Sequence, residues 1–556
     1  MRRLAALVLA LLTLAPEAAA QTEGVLQIES DLERFVLRQH ALGHLPGVDI
    51  GALPLNTRDA LVRLDTMRAA LSTTDQALVD GYLGREAAGL FGDRASGGAL
   101  YPNNVSFLRT AGEDYAVEVS PLLGLAAGPA FANREGGGGT ETVSAWEAAR
   151  GLRAAGHVGR FFAEARVTET QVRVPGGSTT PRTAPRVAFA RTSGAVDPEY
   201  DYIRATGLVG YRDRRVEVRA GRDRNRWGYA RGGLMLSNYA PEYDHAQVRL
   251  SLGPITFQSL YARFLDPRPV GLGNSAGVVE QRYGSFHRAS ARLGAGVEVE
   301  VFETVIFGDR ADDNRNGFEP AYLVPFAFYR AVERDLGSPD NMLLGAGASW
   351  RAASGARLYA QGVLDELVAA TFFDDAWTSK WGFVVGAQLA DPGLPGLGRL
   401  RDTDVQVEYA RIRPYVYAHR DSVTAAVHYG DVLGHPAGPN ASDLSLRVEH
   451  RPARDWSISA DLVYTVRGRN TDDLNYGSDP QRETDDRVPE PNPTLQGVRQ
   501  RLAFADLAVG ARLLPEAFAG VRLQAALTDD AERGRSGYLA PQVFFRWAFV
   551  PLGPRF

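Results

Sequence analysis

Apolar and polar residues alternate with a two-residue period, again and again, from about residue 114 to the C-terminus. Val297-Glu298-Val299-Glu300-Val301 and Asp404-Val405-Gln406-Val407-Glu408-Tyr409 show it, as do Trp456-Ser457-Ile458-Ser459-Ala460-Asp461-Leu462 and Val521-Arg522-Leu523-Gln524-Ala525. Successive side chains on a strand point to opposite faces, so each run has one greasy and one wet side. A soluble sandwich alternates in the same way. These runs reach nine residues or more, however, which is the length at which a tilted strand crosses a bilayer core. The chain also opens with an export signal. The combination predicts an all-β transmembrane β-barrel in a Gram-negative outer membrane.

Met1-Arg2-Arg3 is a basic start, residues 4–14 are apolar, and Ala18-Ala19-Ala20 fits a cleavage site, with Gln21 the expected mature N-terminus. The apolar run is too short for a transmembrane anchor. With no cysteine anywhere, a lipoprotein anchor, a disulfide framework and a thiolate metal site are all excluded. The formal net charge is −5, and losing Arg2, Arg3 and Glu17 with the signal makes it one unit more negative. That balance gives no footprint for nucleic acid. Lys380 is the single lysine, so nearly all positive charge sits on planar guanidinium forks that suit carboxylates and phosphates.

Residues 21–100 read differently, as a small periplasmic helical segment. Ser30-Asp31 can cap a helix to about Leu42 with Leu32, Phe35, Val36 and His40 on one face. Asn56-Thr57 starts a second helix with Leu61, Leu64 and Leu71 as its stripe, and residues 72–75 start a third ending near Gly84. Residues 101–556 then form the barrel. Strands are expected near 114–124, 142–154, 160–174, 203–211, 214–222, 245–252, 255–264, 285–293, 296–307, 342–351, 357–366, 381–390, 403–412, 443–451, 456–467, 499–513, 518–528 and 541–550. That is about eighteen antiparallel strands, an even number as bacterial barrels require. Tight links such as Leu252-Gly253-Pro254 and Gly294-Ala295-Gly296 alternate with long ones at 175–202, 223–244, 265–284, 308–341, 413–442 and 468–498. Short periplasmic turns and long outer loops are expected of such a barrel, with both termini in the periplasm. The final alternation, Val543, Phe545, Trp547 and Phe549, reads as one face, with the terminal Phe556 out of register.

The long loops carry the informative residues. Arg222-Asp223-Arg224-Asn225-Arg226-Trp227-Gly228 leads to Leu236-Ser237-Asn238-Tyr239. Later come Tyr322-Leu323-Val324-Pro325-Phe326-Ala327-Phe328-Tyr329-Arg330, Asp340-Asn341, Leu364-Asp365-Glu366 and Leu433-Gly434-His435-Pro436-Ala437-Gly438-Pro439. In this order, over roughly residues 220–445, they resemble the capsule-assembly Wzi family of outer-membrane proteins, in its R-W-G…L-S-N, Y-L-x-P…F-Y-R, D-N, L-D-E and L-G-H-P-x-G-P stretches. The chain departs from the pattern at Tyr229, where a proline is expected. The resemblance implies an eighteen-stranded barrel that retains capsular polysaccharide or other exopolysaccharide at the cell surface, lectin-like and non-catalytic, without cofactor or metal. The expected partners are that polysaccharide and outer-membrane lipid, and a monomer is the default.

Sugars are held by aromatic faces and by planar polar groups that pair with hydroxyls or uronate carboxylates. Arg222, Arg224, Arg226, Trp227, Tyr229, Arg231, Asn238 and Tyr239 gather these types in one loop, and His435 joins them from another. A competing reading pairs the arginines with lumen acids such as Glu217 and Glu298 and places the aromatics in the interfacial girdle. For His435 that reading is a stabilised loop rather than a metal ligand. The alternative function is a porin or substrate-specific channel, since barrels of this size can leave an aqueous bore. A hydrolase is set aside because the sequence offers no coherent nucleophile–base set. Residues 273–277 match G-x-S-x-G without the strand–elbow–helix that motif needs. Residues 312–317 resemble the start of an EF-hand loop, but its twelfth position is Leu323 instead of glutamate.

Overall fold

The computed structural model describes residues 24–95, 101, 104–133, 139–173, 191–193, 199–267, 279–308, 318–325, 328–337, 340–366, 374–394, 396 and 398–550. The signal segment 1–20, the stretches 273–277 and 312–317, and Phe556 lie outside these residues.

Eighteen long strands close into one antiparallel barrel. They are β1 Tyr115–Asn133, β2 Thr140–Val158, β3 Phe161–Arg173, β4 Glu199–Arg212, β5 Val216–Asp223, β6 Tyr243–Leu252, β7 Ile255–Pro267, β8 Val279–Gly294 and β9 Val297–Gly308. The circuit continues with β10 Asn341–Ala353, β11 Ala356–Glu366, β12 Lys380–Ala390, β13 Thr403–Ile412, β14 Ala441–Ala453, β15 Trp456–Arg469, β16 Val498–Leu514, β17 Ala517–Asp530 and β18 Gly534–Trp547. Each expected strand has its counterpart, because a half-apolar strand in a closed wall buries alternate residues. Leu260, Ala262 and Phe264 of β7 are wholly buried, whereas Val301 on the outer face of β9 is 59% exposed. Among the described helices none is long and apolar enough to cross a membrane.

Both ends of the strand series differ from the sequence reading. β1 runs nine residues past 124, through Gly124, Gly128 and Pro129. β18 begins at Gly534 and ends at Trp547. Phe549 therefore leaves the face shared by Val543 and Trp547; it is buried, with its ring where a Cβ on Gly124 would lie. β18 pairs with β1 from Trp547 opposite Leu123 to Gly537 opposite Asn133, with no rungs between Ala127–Val543 and Phe131–Leu539. Pro129 and Pro541 sit in that gap and have no N–H to give. Gly128 lets the strands approach, since a Cβ there would fall 1.9 Å from the Pro541 carbonyl oxygen.

The N-terminal helices form where their caps predict. Ser30, Asn56 and Ser72 each accept a backbone N–H at the start of α1 Asp31–Leu42, α2 Thr57–Thr66 and α3 Thr73–Tyr82. A single turn, α4 Gly92–Ala95, follows. The group docks at the short-turn end: Gly355 N–H donates to Ala41 O at 3.0 Å and Leu90 N–H to Arg512 O at 3.0 Å. It also enters the bore. Arg38, buried in α1, reaches Asp75 of α3 at 2.8 Å and Asp391 after β12 at 2.6 Å. Asp49 meets the fully buried Arg288 of β8 at 2.7 Å.

Candidate functional site

The loop between β5 and β6 folds into the bore and meets the N-terminal plug. Arg226-Trp227 pairs antiparallel with Ala52-Leu53, and Gly228 N–H donates to Gly51 O at 2.8 Å. Gly228 has φ +108°, and a Cβ there would lie 2.3 Å from the Gln361 amide nitrogen, so only glycine serves. The Trp227 indole is completely buried, edge-on to Phe286 at 6.1 Å.

The nine residues singled out in the sequence divide accordingly. Arg226 pairs with Glu33 of α1, and Glu29 lies 3.9 Å away. Arg224 holds Glu242 at 2.7 Å and donates to Asn238 O at 3.2 Å. Arg231 grips both Asp461 oxygens, while its N–H donates to Glu408 at 2.7 Å. Tyr229 and Tyr239 are buried in the same core as Trp227. The His435 imidazole accepts the Ala437 N–H at Nδ1, 3.2 Å away, and its ring packs where Gly232 has no Cβ. Arg222, alone of the nine, is a third exposed, 3.6 Å from Asp244. The arginines do pair with acids, yet with Glu33, Glu242 and Asp461. Glu217 and Glu298 belong to Arg219 and His40, and the aromatics sit in the plug core. The plug partners come from segments far away in sequence, so spacing alone could not reveal them.

The loop between β13 and β14 folds in beside this one. Its His428 is held between a donated Leu265 N–H at Nδ1, 3.0 Å, and the Glu242 carbonyl at Nε2, 3.2 Å. That pattern needs neutral imidazole with the proton on Nε2. Burial brings its pKa down from 6.5 to about 4, against the Glu242 carbonyl and helped by Arg222 and Arg282. The folded-state pKa is the lower one, so this loop's stability is complete above about pH 6.5 and is lost as pH falls through about 4. Once corrected for the intrinsic exchange rate at each pH, the protection factors of Leu265 and Tyr429 are expected to fall by at most about tenfold per pH unit as pH drops across that window. Constant protection factors from pH 7 to 4 would count against the assignment.

Between the plug and the wall formed by β1–β4 and β14–β18 lies a cavity of ≈ 300 Å³. Eleven arginines and eight carboxylates line it, with Arg224, Arg231 and Asn238 contributed by the β5–β6 loop. Most of these charges are spent on one another: Arg522 with Asp506, Arg546 with Asp31 at 2.8 Å, Arg447 with Glu29 at 2.9 Å. Arg512 is different. It is 7% exposed and forms no ion pair among the described residues. Its guanidinium lies over the rings of Tyr82 and Phe518 at 5.4 and 5.2 Å, and Nε has no hydrogen-bond partner. Such a group, already stripped of most of its water, can form a charge-assisted hydrogen bond with an anion that enters the cavity. Among the described residues no group of acids and histidines is arranged to hold a metal.

No protein-family model and no curated protein matches the chain. Solved structures do. OccD3 (OpdP) of Pseudomonas aeruginosa is 13% identical, covering 77% of this chain and 91% of its own with a TM-score of 0.39, and OccAB2 of Acinetobacter baumannii is 9% identical with the same TM-score over 77% and 98%. Neither score supports an argument. Another comparison supports the fold: Wzi of Escherichia coli, described as an outer-membrane protein involved in group 1 capsule assembly and a carbohydrate-binding β-barrel, is 12% identical, covers 93% of this chain and 99% of its own, and superposes with a TM-score of 0.54. The fold is that of an outer-membrane β-barrel, and it is similar to Wzi from end to end.

Proposed function

We propose that this protein is a barrel that binds capsular polysaccharide or exopolysaccharide and retains it at the cell surface without covalent chemistry. The observation that carries this reading is the filled bore. Residues 24–95 enter from the short-turn end, and the β5–β6 and β13–β14 loops fold in to meet them, which disfavours a diffusion channel. The ordered loop residues and the end-to-end likeness in fold to a carbohydrate-binding barrel support the same reading. In this arrangement the barrel works as a monomer in outer-membrane lipid, its termini periplasmic and its long loops extracellular. The sequence-predicted loop residues act mainly as the frame. Arg512, at the short-turn end of the cavity that Arg224, Arg231 and Asn238 also line, is the cation this cavity offers to an acidic sugar that enters it, and Arg222 is the alternative at the long-loop rim.

Deleting the gene is expected to shed polysaccharide into the medium. Arg512→Ala in a folded barrel should weaken binding of a uronate oligosaccharide by about 10–100-fold, the value of a hydrogen bond to a charged group. If Arg222→Ala weakens it instead, the site belongs to the rim. Normal retention without the gene, together with steady conductance in planar bilayers, would replace this reading with the channel one.

A further inference from the structure

The described parts of the loop between β9 and β10, residues 318–325 and 328–337, lie outside the bore. On β8 and β9 the inward row is Phe286, Arg288, Glu300 and Phe302, all buried against the plug. Ser285, His287, Glu303, Val305 and Phe307 alternate with that row and therefore face outwards, towards lipid. A glutamate and a histidine on the lipid side of a barrel wall are costly, and intramembrane ionisable groups are functional candidates by default. Here they are roofed. Helix α5 Tyr329–Leu336 and a 3₁₀ turn Pro320–Leu323 lie over the outer wall, burying Tyr322 and Tyr329 against Val305 and Phe307. The roof turns Leu323, Val324 and Phe328 outwards, each 46–58% exposed.

Beneath the roof the polar groups form one chain. His287 Nδ1 is 3.1 Å from Glu303 Oε1, and His287 Nε2 is 2.7 Å from the Tyr329 hydroxyl. The Tyr329 hydroxyl in turn bonds to Ser285 Oγ, which donates to the Tyr322 carbonyl at 2.8 Å. The Glu303 carboxylate also accepts the Tyr329 N–H at 3.2 Å. A carboxylate on one nitrogen of an imidazole, with a serine hydroxyl one tyrosine away from the other nitrogen, holds the parts that activate an oxygen nucleophile whatever the fold. Tyr329 stands between base and nucleophile, and the same roof segment holds both of them.

We propose that Ser285, His287 and Glu303 form a roofed acyl-ester hydrolase site on the membrane face of the barrel, acting on the acyl esters of outer-membrane lipids. With the roof lifted, Ser285 gives its proton to His287 Nε2 as Oγ bonds to the ester carbonyl carbon. The ester C–O bond then breaks and the departing alcohol takes that proton. Water, deprotonated by the same imidazole, cleaves the acyl-serine, releasing a fatty acid and returning the proton to Ser285. Ser285 and His287 are the catalytic residues. Glu303 is a positioning residue that orients the His287 ring through Nδ1.

The test uses the whole barrel in detergent micelles, its folding checked by heat-modifiable migration. A fluorophosphonate probe is expected to label Ser285, located by mass spectrometry. Ser285→Ala and His287→Ala should abolish labelling, and Tyr329→Phe, which uncaps Nε2, should raise it several-fold. Glu303→Gln should slow labelling and shift its pH profile, which a purely structural role would not do. Fatty-acid release is then measured from phosphatidylethanolamine vesicles and, separately, from lipopolysaccharide, to tell the two ester sources apart. Absence of both labelling and release in the wild type and in Tyr329→Phe overturns the proposal, and labelling confined to Ser259, which stands opposite His287 on the neighbouring strand β7, overturns the choice of nucleophile. Either result leaves the polysaccharide reading untouched.

Discussion

Arg288→Met is expected to dislodge the plug while the barrel wall survives. Arg288 has no exposed surface and binds Asp49 at 2.7 and 3.0 Å, Glu300 at 2.7 Å and Gln258 at 3.1 Å. Removing it strands two buried carboxylates, and breaking a buried pair from one side costs about 3–5 kcal/mol. Arg249, 3.6 Å from Asp49, offsets part of this for Asp49 and none for Glu300. The wall is held by backbone ladders that do not involve the side chain, so the loss falls on the stretch around Asp49 between α1 and α2. Limited proteolysis should cut residues 43–56 in the variant and spare them in the wild type, and flickering conductance should replace silence. The triple variant Arg288→Met/Asp49→Leu/Glu300→Gln, which removes all three charges together, should recover most of the protection. Equal protease resistance in Arg288→Met and wild type would show that the pair does not latch the plug.

Trp227→Ala should be comparably severe for a different reason. Truncating a fully buried tryptophan leaves a cavity and typically costs about 3–5 kcal/mol. The vacancy would sit at the junction of the β5–β6 loop, the Ala52-Leu53 strand and Phe286. Amide protection should collapse across residues 224–242 and stay intact in the barrel ladders. Polysaccharide retention would then fall with the frame, unlike Arg512→Ala, where binding falls while protection is unchanged. Trp227→Phe should restore most of the protection, because the indole N–H has no partner among the described residues and little is lost with it. Undisturbed protection in Trp227→Ala would remove this residue from the frame.

The wall was legible in the sequence because its physics is local: each strand reports its own burial by alternation, and each turn by its own Gly, Pro or Asp. The local signal misled where small residues and prolines form strand, at Gly124 to Pro129 and around Pro541. The helices were legible for the same reason, through Ser30, Asn56 and Ser72. The plug was not. Arg226 and Glu33 are 193 positions apart, and an arginine-rich loop looks alike whether it lies on the surface or buried in a bore. Nor could spacing show the set of Ser285, His287, Glu303 and Tyr329. Two strands supply three of its members, and the fourth comes from a loop that turns back over the outside, where a sequence reading expects only lipid.

The two-residue ladder between 52–53 and 226–227 also carries information about time. The filling here is threaded: residues 24–95 precede the eighteen barrel strands, and the β5–β6 loop joins them from within. The helices are therefore expected to act as a mandrel around which the hairpins are wound. The rungs expected to form last are those between β18 and β1, the pair that joins the two ends of the winding and that Pro129 and Pro541 leave incomplete. A seam interrupted in mid-strand parts first at the interruption. Its exchange protection is expected to dip at residues 128–130 and 540–542 relative to the rungs on either side, which would make the junction of first and last strand readable in the finished barrel.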